Sequence, residues 1–207
     1  MLTKKKMLTF GLILGAVLVV LTALVLLWIL TPWGYARDVR ETEMQNRNRF
    51  VETAALWLGC NEADGSHREI VDLYNGHMPL AQGYEVQYDD NWCATFVSAA
   101  AIRCNLTHVI PTECGCERQT KLFMELECWV EDDAYIPLPG DVIYYCGSDS
   151  GKGDCTGWSD HVGIVVGTKG PFIKVIEGNS NDCVQYCYIL ANAKGIRGYA
   201  TPNFLSS

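Results

Sequence analysis

The chain has no internal repeat and no low-complexity tract, so a solenoid or fibrous architecture is excluded. Positive charge is scarce. Beyond the first 30 residues, 13 Lys and Arg face 24 Asp and Glu, a net charge of −11. That balance excludes a nucleic-acid partner, and it excludes docking on anionic lipid or wall polymer through a basic patch. Paired Cys-x-x-Cys spacing is also missing. A zinc site built on Cys114-Gly115-Cys116 with Cys104, Cys128 or His108 is the sharper alternative, but its spacing does not match the paired form. No metal and no cofactor is expected. No Leu-x-x-Cys lipobox follows the N-terminal apolar run, so a lipid anchor is not expected either.

That apolar run is the first positive feature. Leu8 to Leu30 holds 23 residues without a charge, long enough to span a bilayer as a helix. Lys4-Lys5-Lys6 precede it, which keeps residues 1–7 in the cytoplasm and sends the remainder across. A cleaved signal peptide competes with this reading. Secretory apolar cores run about 7–15 residues, shorter than this one, and Tyr35-Ala36 is a poor cleavage site. A single-pass anchor is therefore expected at 8–30, a polar stem at 31–46, and a folded extracytoplasmic domain at 47–207. Extended, the stem would reach at most about 55 Å at ~3.3 Å per residue.

Ten cysteines fit an extracytoplasmic setting better than an intracellular one. Cys146 and Cys155 flank a Gly/Ser/Asp loop between two expected strands and are the best candidates for a disulfide. Cys104, Cys114, Cys116 and Cys128 offer one or two more. Setting Cys93 aside as a nucleophile leaves nine, an odd number, so at least one stays free or pairs with another chain.

Cys93 is set aside because of its surroundings. In Asn91-Trp92-Cys93-Ala94-Thr95-Phe96-Val97-Ser98, the residues Phe96, Val97, Ala100, Ala101 and Cys104 recur at helical spacing from Cys93. Asn91 reads as the N-cap, which places Cys93 in the first turn. Free N–H groups and the helix dipole favour a thiolate there, and the same groups suit an oxyanion. His161 follows 68 residues later and opens the run Asp160-His161-Val162-Gly163-Ile164-Val165-Val166, which reads as a buried strand. Alternation puts His161, Gly163 and Val165 on one face, with Gly163 leaving open space beside the imidazole. The next strand, Phe172 to Glu177, ends in Glu177-Gly178-Asn179. Glu177 and Asn179 are two apart, so either could accept the second imidazole N–H. A thiolate from one element and an imidazole from another is what a cysteine hydrolase requires.

These residues resemble the CHAP family, the cysteine, histidine-dependent amidohydrolases and peptidases of the papain-like NlpC/P60 superfamily. The matching segments are Trp92-Cys93-Ala94 with Phe96-Val97, Pro139-Gly140-Asp141-Val142-Ile143, Asp160 to Val165, and Ile176-Glu177-Gly178-Asn179. Gly198-Tyr199 resembles the last strand of that family. Ala55 to Gly59, Asp64 to His67 and Tyr74-Asn75 resemble parts of some members. The resemblance spans about residues 47 to 204. It implies Cys93 as nucleophile, His161 as general base, Glu177 as the orienting residue, and Asn179 as an aid to the histidine or the site. It implies cleavage of peptidoglycan, either at the amide joining glycan to stem peptide or within the peptide. The chain departs from the pattern in its cysteine load and in lacking an evident wall-binding repeat.

The expected fold class is α+β, a papain-like NlpC/P60-type domain of N-terminal helices packed on an antiparallel sheet, preceded by one transmembrane helix. Helices are expected around Phe50–Leu58, from the capping-box-like Ser66-His67-Arg68-Glu69 to Asn75, from Cys93, and over Glu117–Val130. Strands are expected at Val142–Tyr145, His161–Val166, Phe172–Glu177, Val184–Leu190 and Gly198–Ala200. Tyr88 is a candidate for the oxyanion site, and Trp92 and Trp158 are candidates to line a substrate groove. His67 and His108 read as surface residues. The expected function is a membrane-anchored peptidoglycan amidase or endopeptidase, with a partner in wall, secretion or conjugation machinery possible. The alternatives are an acyltransferase using the same thioester and an inert wall-binding module.

Overall fold

The computed structural model describes residues 4–30, 32–132, 134–149 and 157–205, with side chains described over 13–29 and from 36 onward. The chain divides into two compact units, Met1–Glu43 and Met44–Ser207. In the first, helix α1 covers Lys4–Leu30. Among the described residues no helix is long and apolar enough to cross a membrane. The structure thus supplies a helix over the apolar run without itself showing a span. Helix α2 covers Pro32–Ala55, so the stem residues 32–46 are helical and reach less far than the fully extended limit. It rises about 1.5 Å per residue instead of 3.3.

In the second unit, helices α3 (Arg68–Asn75), α4 (Cys93–Arg103) and α5 (Cys116–Glu125) precede a six-stranded sheet. The strands are β1 (Trp129–Val130), β2 (Val142–Tyr145), β3 (His161–Lys169), β4 (Phe172–Ser180), β5 (Cys183–Leu190) and β6 (Ile196–Ala200). Their order is β1-β6-β2-β3-β4-β5, and neighbouring strands are antiparallel. Strand alternation divides the interior in two. Val142, Tyr144, Val162, Ile164 and Ile176 join the helices in the larger core, with Trp57, Tyr74, Trp92 and Phe96. Ile143, Val165, Ile173, Val175 and Tyr199 form a smaller core.

Helix α4 is the centre of the larger core. Every residue from Cys93 to Ala101 is buried, including Thr95 and Ser98. The sequence suggests one apolar face, but a helix this rich in alanine is small enough to be enclosed on all sides. Ser98 fits because its hydroxyl donates to the Glu113 carbonyl (2.7 Å) and accepts from the Glu113 N–H (2.9 Å). That contact fastens the loop leading to α5.

Three local expectations are corrected. The helix expected through Val130 ends at Glu125, because Glu127 turns left-handed (φ 56°) and redirects the chain into β1. Ser66 does not cap α3. Its hydroxyl bonds Asp64 Oδ1 and accepts from the Asn61 N–H, which closes a turn, while Glu69 pairs with Arg103. Asn91 does not cap α4 either. Trp92 occupies that position without a side-chain cap bond.

The Pro139-Gly140-Asp141 segment is a clasp. Asp141 is fully buried and pairs with Arg47 at 2.7 Å. Its other oxygen accepts from the Tyr135 hydroxyl (2.6 Å) and the Leu138 N–H (2.8 Å). Arg47 also donates to the Pro139 carbonyl. Gly140 has φ 86°, and a Cβ there would stand 3.2 Å from Arg47 Cα and from the Phe204 ring. Its N–H donates to the Val165 carbonyl, which ties the clasp to β3.

Removing one partner of a buried ion pair typically costs about 3–5 kcal/mol. Asp141→Ala, which strands the Arg47 guanidinium, is expected to lose stability of that order in a chemical denaturation experiment. A change below about 1 kcal/mol would show that the clasp contributes little.

Candidate active site

Cys93 is the first residue of α4, and His161 is the first residue of β3. The fold brings these two element starts together, so that His161 and Cys93 each favour the charged form of the other. The other side of the imidazole is held by β4, where Glu177 Oε2 lies 3.2 Å from His161 Nε2. Cys93 and Glu177 thus act on the same imidazole, Glu177 through a hydrogen bond and Cys93 through charge.

Cys93 is only 6% exposed, so a charge there must be balanced locally. A hydrogen bond from the Cys116 thiol contributes most to that balance, then His161 and the Ala94 N–H. Together they outweigh burial and bring Cys93 down to about 5. Burial alone would discharge His161, but its bonds to Cys93 and Glu177 prevail and hold it up to about 10. Burial likewise opposes charge on Glu177, and bonds from His161, Tyr145 and Cys187 keep it below the usual carboxylate range. These interactions favour a thiolate–imidazolium pair backed by a carboxylate.

The support around Glu177 is dense. Tyr145 donates its hydroxyl to Glu177 Oε1 (2.8 Å) and stacks on the imidazole, with ring centroids 5.5 Å apart. Strand register sets this arrangement, because Tyr145 and His161 are paired residues of β2 and β3. The Cys187 thiol donates to Glu177 Oε2 at 3.1 Å. Gly163 does not leave open space beside the imidazole. A Cβ there would lie 2.5 Å from Val175 Cγ1 and 2.8 Å from Glu177 Cγ. The glycine makes room for Glu177 to reach His161.

Asn179 does not share a face with Glu177. A bulge in β4 and a left-handed φ of 54° at Asn179 break the alternation. Turned so that both ends of its amide are satisfied, its oxygen faces the Trp92 N–H (3.2 Å) and its nitrogen faces Glu62 Oε1 (3.3 Å). It serves the start of α4. Tyr88 is spent elsewhere, since its hydroxyl donates to Asp72 Oδ1 at 2.7 Å. Trp92 is fully buried with its indole N–H on Glu62 (2.9 Å), so it packs and lines no groove. Trp158 is exposed, with Lys121 Nζ 5.2 Å from its ring. His67 is buried, not at the surface, with its ring nitrogens against the carbonyls of Asn61 (3.2 Å) and Tyr88 (2.9 Å). His108 is exposed.

All nine described cysteines are free thiols, so the bridges expected among Cys104, Cys114, Cys116 and Cys128 are not formed. Cys155 lies outside the described residues. Its expected partner Cys146 is buried, with its sulfur 3.3 Å from the Ser148 hydroxyl. His161 and Tyr145 border a cavity of ≈ 330 Å³ that also takes in Cys146, Asp160, Ile189 and Lys194.

No family model and no curated protein matches the chain. Two solved structures are similar to it. An NlpC/P60 family protein from Bacillus cereus is 14% identical, with a TM-score of 0.42, over 75% of this chain and 39% of that one. The structure of Ly7917 is 13% identical, with a TM-score of 0.36, over 55% of this chain and 54% of that one. The chain thus spans less than two thirds of either. At these values the likeness carries no weight, and the chemistry is argued from the residues.

Four residues at the site have no signature in the sequence: Tyr145, Cys116, Cys187 and Glu62. Tyr145 was within reach, because an antiparallel β2–β3 pairing sets it beside His161. The others depend on loop paths that local pattern does not encode.

Two outcomes follow. The alkylation rate of Cys93 by iodoacetamide should rise as pH passes about 5, where the thiolate forms, and should change again near 10, where His161 loses its proton. A single rise near the ordinary thiol value would show that the ion pair does not form. Gly163→Ala should displace Glu177 and slow Cys93 alkylation at neutral pH. Overpacking of this kind also costs about 1–3 kcal/mol. Unchanged alkylation in a destabilised variant would separate packing from positioning.

Proposed function

We propose that the chain is a cysteine amidase or peptidase acting on peptidoglycan. The observation that carries this reading is the Glu177–His161 hydrogen bond beside a buried Cys93, with His161 favouring the thiolate and Cys93 and Glu177 favouring the imidazolium. The Cys93 sulfur attacks the carbonyl carbon of an amide, and N–H groups at the start of α4 receive the oxyanion. The carbon–nitrogen bond breaks as His161 gives its proton to the departing amine. A thioester remains on Cys93. Water, deprotonated by His161, attacks the thioester and restores the thiolate while the acyl group leaves as a carboxylate. Glu177, fixed by Tyr145, keeps the imidazole aligned through both steps.

The substrate class comes from the motif set. Trp92-Cys93-Ala94, Pro139-Gly140-Asp141, Asp160-His161-Val162-Gly163 and Glu177-Gly178-Asn179 together resemble the CHAP family. Membrane anchoring through residues 8–30, with the N-terminus in the cytoplasm and the site outside, belongs to the same proposal. Its basis is the 23-residue uncharged run and the three preceding lysines. Short reach from the membrane would direct the enzyme to nearby wall.

The full chain in detergent, and its Cys93→Ala variant, should be incubated with purified peptidoglycan and the products identified by mass spectrometry. Free stem peptides with intact glycan mean an amidase, and cut peptides mean an endopeptidase. Loss of at least 10³-fold in rate is expected for Cys93→Ala, on the order seen when a nucleophile is removed. Equal digestion by both proteins would exclude Cys93. Incorporation of a labelled amine in place of hydrolysis would identify a transferase.

A further inference from the structure

Cys116 Sγ lies 3.4 Å from Cys93 Sγ, and the two are 8% and 6% exposed. Each is the first residue of its helix, α5 and α4. The loop fastened by Ser98 and Glu113 delivers the second helix start to the first. We propose that Cys93 and Cys116 form a redox modification site, in which a peroxide joins the two sulfurs in a reversible disulfide and so removes the nucleophile. The inference rests on Cys93 being the nucleophile of the proposed reaction.

The chemistry is ordered by charge. The Cys93 thiolate is the oxidisable form, because a thiolate attacks peroxide and a thiol does not. Its sulfur attacks one oxygen of hydrogen peroxide, the O–O bond breaks, and hydroxide leaves, giving Cys93–SOH. Cys116 keeps its proton as long as the neighbouring thiolate and burial push its thiol up. Once Cys93 is a neutral sulfenic acid, that charge is gone. Cys116 then gives up its proton and attacks the Cys93 sulfur, the S–O bond breaks, and water is released. Overall two thiols lose two electrons and two hydrogens, and one peroxide becomes two waters. An added dithiol reverses the step by thiol–disulfide exchange, itself closing to a disulfide. Bonding distance is about 2.05 Å, so the sulfurs must approach by little more than an ångström from contact.

Other thiols are turned to other partners. Cys104 donates to the Ala100 carbonyl, Cys114 to Glu113, Cys128 to the Phe123 carbonyl and Cys187 to Glu177. Among the described thiols, Cys116 is the one in contact with Cys93. A disulfide there also protects Cys93 from sulfinic acid, the irreversible next stage.

The test uses the full chain in detergent, reduced, freed of reductant and treated with hydrogen peroxide in excess of the two equivalents per chain that a sulfinic acid requires. Remaining thiols are blocked under denaturing conditions, and peptides are mapped without reduction. The expected result is a Cys93–Cys116 linkage, loss of Cys93 alkylation, and recovery of alkylation on adding dithiothreitol. In Cys116→Ser and Cys116→Ala, peroxide should instead carry Cys93 to sulfinic acid, and dithiothreitol should not restore labelling. Linkage of Cys93 to a different cysteine, or equal recovery in all three proteins, would overturn the proposal. Wall digestion is read on the same samples. Linkage in a reduced protein that never digests wall would sink the hydrolase reading and keep this one, and digestion that survives peroxide without linkage does the reverse.

Discussion

A thiolate in a nearly closed pocket is the constraint on which the rest of this domain depends. Unbalanced charge of that kind costs several kcal/mol, and the fold balances it from three elements. The start of α4 supplies an N–H, α5 supplies a thiol, and β3 supplies the imidazolium. The imidazolium is itself half-buried and creates a second demand, which β4 meets with Glu177. Glu177 is buried in turn and is held by Tyr145 from β2 and Cys187 from β5. Each answer to a burial penalty recruits the next element. The active site and the sheet order are in that sense one arrangement.

This chain of compensation explains why glycines sit where they do. Gly163 is absent of side chain so that Glu177 can cross the β3–β4 pair. Gly178 lies where a Cβ would meet the Phe96 side chain at 2.4 Å, which lets β4 press onto α4. Gly140 lets the Arg47–Asp141 pair close without backbone collision. The last is far in sequence from the nucleophile but holds the entrance to β2, the strand that carries Tyr145. Scaffold and site share residues because both are solutions to burying charge.

Much of this was legible in the sequence. Helical spacing found α4 and placed Cys93 at its start. Strand alternation found β2 to β6 nearly to their ends. The order of Cys93, His161 and Glu177 led to the three residues that the fold brings together. The failures have physical reasons. Residue type suggests caps at Asn91 and Ser66, but Ser66 closes a local turn with Asn61 and Asp64, and Trp92 takes the position before α4. Asn179 was placed beside Glu177 by strict alternation, which a single left-handed residue cancels. Tyr88 and Trp92 are near the nucleophile in sequence, yet Asp72 and Glu62 claim their polar groups. The apolar run of residues 8–30 forms a helix, but its relation to a bilayer is a property of its surroundings and not of its backbone.

The cysteines are where composition misled most. A high cysteine count outside the cell suggests crosslinks that replace a small core. Here the core is large enough without them, with Trp57, Trp92, Tyr74, Tyr144, Phe50 and Phe96 all fully enclosed. Thiols then behave as small apolar residues that also donate weak hydrogen bonds, and two of them, Cys116 and Cys187, are used on the charged atoms of the site. A hydroxyl at either place would need stronger solvation when its partner is neutral, whereas a thiol tolerates both states.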